Sequence, residues 1–513
     1  MNNQLKLTTL LISLVVTVAQ FYYNTIVIKD MSYGDFFALN GDDAQYVYSS
    51  ESLYNGGDHA YFRTDKANLK TNFIINGEFD KGMYYAFRTP GFAFIHLPIR
   101  SLLSFENTLI TILLLQVILS ALCKFLIIYL AFIFCGKIKK VIWVSLILTN
   151  ILFFITSFNH TFLSESLAGF LLVYSFFAFY KGQETEKSHW LFSAGIAIMV
   201  AVLMRPFLLP ILGIYGILML KPNKFNILKT VLSKKALLFI LPTCIFLGGW
   251  TIRNLEKTDE VIVLSKTFGW ENFSNKGFKE MFYFVHNIGE HHEWWVNKNL
   301  THWYTTENSQ LDILSFNRVK SLPQEQIKLI ESSRDHYLKS IDTINLNLDR
   351  RKKQELLAEK ELILVNDYIK ASHVEYKLYI PFETFLVFTS TPLITPFIKA
   401  TYPLNVASVW AESFLNRTIL LLGIFGSIVL ILRKNTNLTL RLFIFSQFFL
   451  IIMFCLFGLN EKRIIYLPTL LSLLPASIWL YELINNKKYI IGGLVLAIAG
   501  LMAITDLPDY INF

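Results

Sequence analysis

Cysteine is scarce in this sequence, four residues in 513, and Cys123, Cys135, Cys244 and Cys455 all fall inside or at the ends of apolar runs. The long polar stretches contain none, which excludes a disulfide framework in them. Charge is thin as well: Asp, Glu, Lys and Arg make up 17% of residues against 53% hydrophobic ones, whereas soluble domains carry about one-quarter charged residues. A soluble chain of this length would hold about three domains. A mean hydropathy of +0.44 says instead that lipid is the solvent of most of it. Also missing are a phosphate-cradling Gly-rich motif, a nucleophile elbow and a zinc-binding HExxH sequence. No internal repeat or inverted pairing of broken helices is found, which weighs against the repeat architecture of secondary transporters.

What the sequence does contain is a series of apolar runs near residues 6–28, 107–134, 141–157, 162–181, 189–205, 206–220, 235–252, 416–432, 439–459, 464–484 and 488–505. A crossing takes about 20 apolar residues, so the runs predict an all-α polytopic membrane protein of about 11 transmembrane helices. The two shortest meet at Arg205-Pro206. Segments assigned to the cytoplasm hold 16 Lys and Arg, including Lys6, Lys139, Lys229 and Lys487, against only Glu184 and Glu186. This positive-inside bias puts the N-terminus in the cytoplasm and the C-terminus outside. It also accounts for the net charge of +9 without a nucleic-acid partner. The first run has the Lys6 flank of a signal peptide, but it continues through Phe21, Tyr22 and Tyr23 without a small-residue cleavage site. It reads as an uncleaved signal anchor.

Two long stretches interrupt the pattern, and the odd count places both on the exported face. The expected organisation is a membrane module at 1–252 that includes the first exported loop, 29–106; an exported helical loop at 253–415; and C-terminal membrane helices at 416–513. The second loop is polar from Glu256 to Val374, with helical periodicity at Gln324–Leu338 and Gln354–Ile369. Its later part, Tyr379–Pro403, is apolar but interrupted by Pro381, Pro392, Pro396 and Pro403, which suits re-entrant or interfacial helices and leaves a twelfth crossing open.

Candidate chemistry concentrates near the ends of the spans. Asn40-Gly41-Asp42-Asp43-Ala44-Gln45-Tyr46 puts two carboxylates just after the first span. Either can serve as an N-cap, or one can be a general base that takes the proton of an acceptor hydroxyl. Glu165, in His160-Thr161-Phe162-Leu163-Ser164-Glu165, opens the fourth span, where an ionisable group is costly and faces a cavity or a partner; helix capping explains it equally well. Arg63, Lys66, Lys81, Arg88, Arg100, Arg205, Arg253, Lys462 and Arg463 share that face. Guanidinium forks bind phosphate oxygens bidentately and stabilise a phosphate leaving group, while most cations at such depths are interfacial anchors. His286, His291, His292 and Glu293 beside Trp294 and Trp295 match no compact metal signature. Lys124, well inside the second span, should face protein, although no partner is evident from the sequence.

Taken in order, Asp42-Asp43-Ala44-Gln45-Tyr46, Arg88-Thr89-Pro90-Gly91, Ser164-Glu165, Arg205-Pro206, Trp250-Thr251-Ile252-Arg253-Asn254 and Glu461-Lys462-Arg463 before Tyr466 and Pro468 resemble the GT-C superfamily of membrane glycosyltransferases. Protein O-mannosyltransferases and bacterial aminoarabinose (lipid A) transferases are the most similar branches. The resemblance implies a GT-C-like bundle and inverting transfer from a polyprenyl-phosphate sugar donor. It puts catalytic carboxylates on Asp42, Asp43 and Glu165, and donor-phosphate contacts on Arg88, Arg205, Arg253, Lys462 and Arg463. Family members often carry Glu second in the first acidic pair and a longer acidic motif in the next exported loop; here stand Asp43 and Glu165 alone. No cofactor is implied with certainty, and a divalent metal stays open because some branches need one and others do not. The acceptor, whether protein, lipid or glycan, is not specified. High Lys, Asn and Ile content suits an AT-rich bacterial genome, hence an inner-membrane protein whose site faces the periplasm. A polysaccharide polymerase or ligase, or a transporter of lipid-linked sugars, stand as rival readings.

Overall fold

The computed structural model describes residues 1–28, 32–37, 39, 42–56, 58–62, 83–85, 88–152, 156, 158–220, 233–258, 261–265, 404–433, 436–456 and 462–504, with single positions at 324, 327, 328, 331 and 385. The chain divides into two compact units: Met1–Ser265 with Thr389–Leu450 and Tyr466–Phe513, and Lys266–Phe388 with Ile451–Ile465. Of the helix expected at Gln324–Leu338, the described positions Gln324, Ile327, Lys328 and Glu331 are helical. Gln354–Ile369, the His286–Trp295 cluster and, apart from Phe385, Tyr379–Pro403 lie outside the described residues.

The apolar runs become helices. In chain order these are α1 (Asn3–Tyr22, continuing as a wider turn over Tyr23–Ile28), α2 (Asp42–Tyr54), strands β1 (Ala60–Phe62) and β2 (Met83–Tyr85), α3 (Ala93–Arg100), α4 (Phe105–Phe134) and α5 (Lys140–Ile151). Then come α6 (Glu165–Thr185), α7 (Ser188–Met204), α8 (Leu209–Leu220), α9 (Lys234–Thr258), α10 (Leu404–Ile431), α11 (Leu438–Leu456), α12 (Lys462–Asn485) and α13 (Tyr489–Ile504). The strands pair antiparallel with Tyr61 opposite Tyr84, a small addition to a helical fold. Among the described residues six segments, Asn3–Ile26, Phe105–Phe134, Lys234–Thr258, Ser413–Ile431, Leu438–Leu456 and Ile465–Asn485, are long and apolar enough to cross a membrane. The chain is a helical, multi-pass membrane protein.

Burial follows the logic of a lipid solvent. On α1, Leu7, Leu11, Val15, Val18 and Tyr22 are exposed, while Thr9, Ser13, Thr17 and Gln20 are buried against the protein. Their three- and four-residue spacing forms one polar stripe. Thr9 and Thr17 satisfy their hydroxyls on the carbonyls four residues back. The C-terminal helices use the same device across elements. Ser427 of α10 donates to Gln447 of α11 (2.6 Å), which donates to Ser472 of α12 (2.8 Å).

Of the expected spans, those at Lys140–Ile151, Ser188–Met204, Pro206–Leu220 and Tyr489–Ala503 form shorter apolar helices of 10–17 residues, and the first of these also departs from its run. The apolar stretch at 141–157 predicts a continuous helix, but α5 ends at Ile151 after 12 residues, about 18 Å of helix against a hydrocarbon core of about 30 Å. Among the described residues that follow, Leu152 is extended and Phe158–Ser164 form turns and bends ahead of α6. Exposed backbone at membrane depth is tolerated only when protein or water satisfies it, and side chains of α1 and α4 do so here. Gln116 Nε2 donates to the Thr161 carbonyl (2.8 Å) and Ser120 Oγ to Asn159 Oδ1 (2.8 Å). Gln20 Nε2 donates to the Asn150 carbonyl (2.7 Å). Lys124, wholly buried, donates to Gln20 Oε1 (2.7 Å) and Asn150 Oδ1 (3.4 Å). Its cation therefore lies at the C-terminal end of α5, where the helix dipole presents partial negative charge. That is the partner the sequence did not name.

Candidate functional site

α2 opens at Asp42, whose side chain lies outside the described residues, and carries half-buried Asp43 and then buried Gln45 and Tyr46 in its first turns. The chain returns to α2 through Arg88-Thr89-Pro90-Gly91. Arg88 donates from Nε (2.8 Å) and Nη2 (2.6 Å) to the single oxygen Oε1 of Gln45. Its guanidinium also stands 5.0 Å from the centroid of the Tyr46 ring, a cation–π distance. Tyr46 packs on Phe92, ring centroids 5.9 Å apart. Further along, Glu51 Oε1 meets both His96 Nε2 (2.7 Å) and Arg100 Nε (2.8 Å), and Arg100 covers Tyr54 at 4.1 Å. Arg100 thus fastens α3 to α2.

The Arg88–Gly91 turn docks onto the end of α7. Gly91 N donates to the Leu203 carbonyl (3.1 Å), and a Cβ at Gly91 would stand 2.6 Å from that oxygen. Only glycine lets the two backbones approach this closely. α7 stops at Arg205, which is extended (φ −137°, ψ 93°), because Pro206 disfavours helical geometry in the residue before it. Released from the helix, Arg205 forms an ion pair with Glu165 in the first turn of α6. Ser164 Oγ donates to the Met204 carbonyl (3.2 Å) and ties the same two ends together. Each charge sits where its own helix welcomes it, the carboxylate at an N-terminus and the guanidinium at a C-terminus. Both are buried. Tyr466 of α12 completes this wall: its ring meets Phe158 edge-on at 5.5 Å, and Glu165 and Ser166 are its polar neighbours.

Four of the six motifs, with Tyr466 from the last, are therefore brought into one connected structure: Gln45 with Arg88, Gly91 with Leu203 beside Arg205, Ser164-Glu165 with Met204-Arg205, and Tyr466 with Glu165. Lys462 and Arg463 open α12, but their side chains lie outside the described residues. Arg253 has a different set of described partners. It donates through Nη2 to the His59 carbonyl (2.7 Å) and through Nη1 to Asn254 Oδ1 (3.0 Å), and it covers Trp250 at 4.8 Å. Around it Lys257 pairs with Asp58 (2.8 Å), Asn254 Nδ2 donates to the Ile262 carbonyl (2.9 Å), and Trp250 Nε1 donates to the Leu264 carbonyl. His59 stacks edge-on against Trp250 at 5.5 Å. Burial, with Arg253 close by, lowers the His59 pKa to about 3, so this imidazole is neutral.

Two participants carried no signal in the sequence: Gln45 lies inside a quoted motif but is neutral, and Glu51 belongs to no motif. Among the described residues no three His, Cys, Asp or Glu side chains gather to hold a metal ion. No family model and no curated protein matches this chain.

Proposed function

We propose that this chain is an inverting GT-C-type glycosyltransferase that moves a sugar from a polyprenyl-phosphate donor to an acceptor at the exported face of a bacterial inner membrane, with its site toward the periplasm. One observation carries the reading: the Arg88–Gly91 turn seats on the end of α7, so that the helix bearing Asp42 and Asp43, the Arg205–Glu165 pair and Tyr466 belong to one connected structure. These residues come from parts of the chain far apart in sequence, and their order is the order that resembles the superfamily.

In this reading the donor's lipid tail lies in the bilayer and its phosphate stands at headgroup level. Asp42 takes the proton of the acceptor hydroxyl. The acceptor oxygen then attacks the anomeric carbon from the side opposite the phosphate, the carbon–oxygen bond to phosphate breaks, and the configuration inverts. Negative charge grows on the departing polyprenyl phosphate, and Arg88 with the other cations of this face stabilises it. Glu165, buried and paired, holds Arg205 in place; Asp43 backs Asp42 on the same helix turn.

The deciding experiment uses the purified full chain with a panel of polyprenyl-phosphate monosaccharides and extracted envelope acceptors. Asp42→Asn keeps a polar side chain of the same size in the first turn of α2, so the variant should fold and bind lipid, yet transfer should fall by about 10²–10⁴. If it retains more than about a tenth of wild-type transfer, smaller than the loss of a base produces, Asp42 is not the base. A polymerase or ligase would build chains or move whole glycans in the same assay, and a transporter would transfer nothing.

A further inference from the structure

Beside the break after Ile151, buried amides carry more hydrogen-bonding capacity than the protein around them uses. Gln116 Nε2 donates to the Thr161 carbonyl (2.8 Å), but Gln116 Oε1 has no partner. Asn159 accepts from Ser120 through Oδ1 (2.8 Å), while its Nδ2 donates to nothing. Asn24, in the wider turn that continues α1, donates to Thr156 Oγ1 at 3.4 Å and leaves its Oδ1 unused. Gln116 and Asn159 are wholly buried and Asn24 is 1% exposed. Turning an amide over only exchanges a missing acceptor for a missing donor.

The three groups belong to one place. Gln116 and Ser120 stand one turn apart on the same face of α4, and their partners, Thr161 and Asn159, are two residues apart. Asn159 N donates to the Thr156 carbonyl (3.1 Å), so the partners of Asn24 and Ser120 share one tight turn. Thr156 Oγ1 reaches Gln20 Oε1 at 3.4 Å, and that oxygen also accepts from Lys124 Nζ, whose other acceptor, Asn150 Oδ1, lies at 3.4 Å. The 3.4 Å contacts are at the long end of the hydrogen-bond range, so the polar groups here are loosely as well as incompletely paired.

A buried polar group left unpaired is costly, and polar spaces inside proteins hold water where apolar ones stay dry. The ammonium of Lys124 in the same network opposes a metal ion, and the open oxygens of Gln116 and Asn24 oppose an anion. What suits these groups is a small neutral molecule that both donates and accepts. We propose that about one or two ordered water molecules bind between α1, α4 and the 156–161 turn, accepting from Asn159 Nδ2 and donating to Gln116 Oε1 and Asn24 Oδ1. The site accounts for a broken span at this depth, because irregular backbone persists within a membrane where protein or water satisfies it. It stands independently of the proposed transfer reaction.

The test uses the full-length chain in lipid nanodiscs. In an experimental map that shows ordered water, density should stand within about 2.7–3.2 Å of Asn159 Nδ2 and of Gln116 Oε1 or Asn24 Oδ1, and it should vanish when Gln116→Met and Asn159→Leu are combined. X-ray radiolysis read by peptide mass spectrometry, which oxidises side chains beside bound water, is the independent measure. Oxidation of Phe158, next to Asn159 and only 8% exposed, should fall several-fold in the double variant, while that of Tyr54, 40% exposed on α2, stays the same. Should the double variant fail to fold, the wild-type map decides alone. No density at these atoms would overturn the proposal, and so would density ringed by oxygens alone at the shorter distances of a metal ion. Equal oxidation of Phe158 in wild type and a folded double variant would mean that these amides hold no water, and would overturn it too.

Discussion

Replacing Gly91 by alanine adds one methyl group where backbone, not a side chain, stands in the way. The new Cβ would lie 2.5 Å from the Leu203 carbonyl carbon and 2.6 Å from its oxygen, whereas comfortable contact is about 3.5–4.0 Å. A side chain could rotate aside; the last turn of α7 cannot. Either the 88–91 turn or the end of α7 must move by about 1 Å, the shortfall between those distances, and the Gly91–Leu203 hydrogen bond is lost with the move. Overpacking costs about 1–3 kcal/mol and the lost bond about 0.5–1.5 kcal/mol, so about 1.5–4.5 kcal/mol in all. Gly213 in α8 is the control, because nothing stands within 4 Å of a Cβ there and alanine in a helix gains up to about 1 kcal/mol over glycine. Thermal unfolding of the purified full chain, followed by tryptophan fluorescence, should lower the midpoint for Gly91→Ala and leave that of Gly213→Ala unchanged or raised. Hydrogen exchange should show protection of the residue-91 amide lost in the first variant alone. Transfer activity should fall further than stability, because a displacement of about 1 Å in a positioning element costs about 10² in rate. Equal midpoints for the two variants, with the residue-91 amide still protected, would refute the docking of this turn on α7.

Four further outcomes follow from other contacts. Glu165→Gln should destabilise by about 3–5 kcal/mol by leaving a buried guanidinium without its counter-charge, and Glu165→Met with Arg205→Met should be more stable than either single change; thermal denaturation of the three variants checks this. Lys124→Met should destabilise by about 1–3 kcal/mol, since Gln20 Oε1 and Asn150 Oδ1 lose a buried donor; a higher midpoint would mean the cation is not serving the end of α5. His59 titrates near 3 when buried against about 6.5 when exposed, so the open state binds more protons between those values and stability of the buried turn falls as pH drops through that window. Proteolysis and exchange at 58–62 should rise by pH 5.5, where about 1.4 kcal/mol is lost, and His59→Asn should remove the pH dependence. Reporter fusions at Lys139, Lys229 and Lys487 should report cytoplasm and a fusion at Asp65 the exported side; a cytoplasmic signal at Asp65 would reverse the proposed orientation.

The helices were legible because a lipid solvent leaves a one-dimensional trace, an apolar run of a length set by the bilayer. The runs at 107–134, 439–459 and 464–484 correspond closely to α4, α11 and α12. The same trace misread 141–157. Hydropathy sees Leu152 and its apolar neighbours but not the backbone, and the break at Ile151 is held by Gln20, Gln116 and Lys124, whose proximity to it no local pattern encodes. The motif residues were legible singly and their meeting was not. Gly91 looks like an ordinary turn glycine until the end of α7 lies against it. Gln45 carried no signal because a neutral amide reads as filler between two carboxylates and a tyrosine. Arg253 was grouped with Arg205 by charge and motif, yet its described partners are a carbonyl, an amide and an indole ring.

The polar stripe on α1 has a consequence in time. Gln20 is synthesised 104 residues before Lys124, the donor that meets it, and at about 5–20 residues per second that gap lasts on the order of 5–20 s. Throughout it, Ser13, Thr17, Gln20 and Asn24 face either lipid or whatever escorts the nascent chain. α1 enters the bilayer as a half-finished interface, committed to crossing by Leu7, Leu11, Val15 and Val18 yet with no resting orientation until α4 arrives.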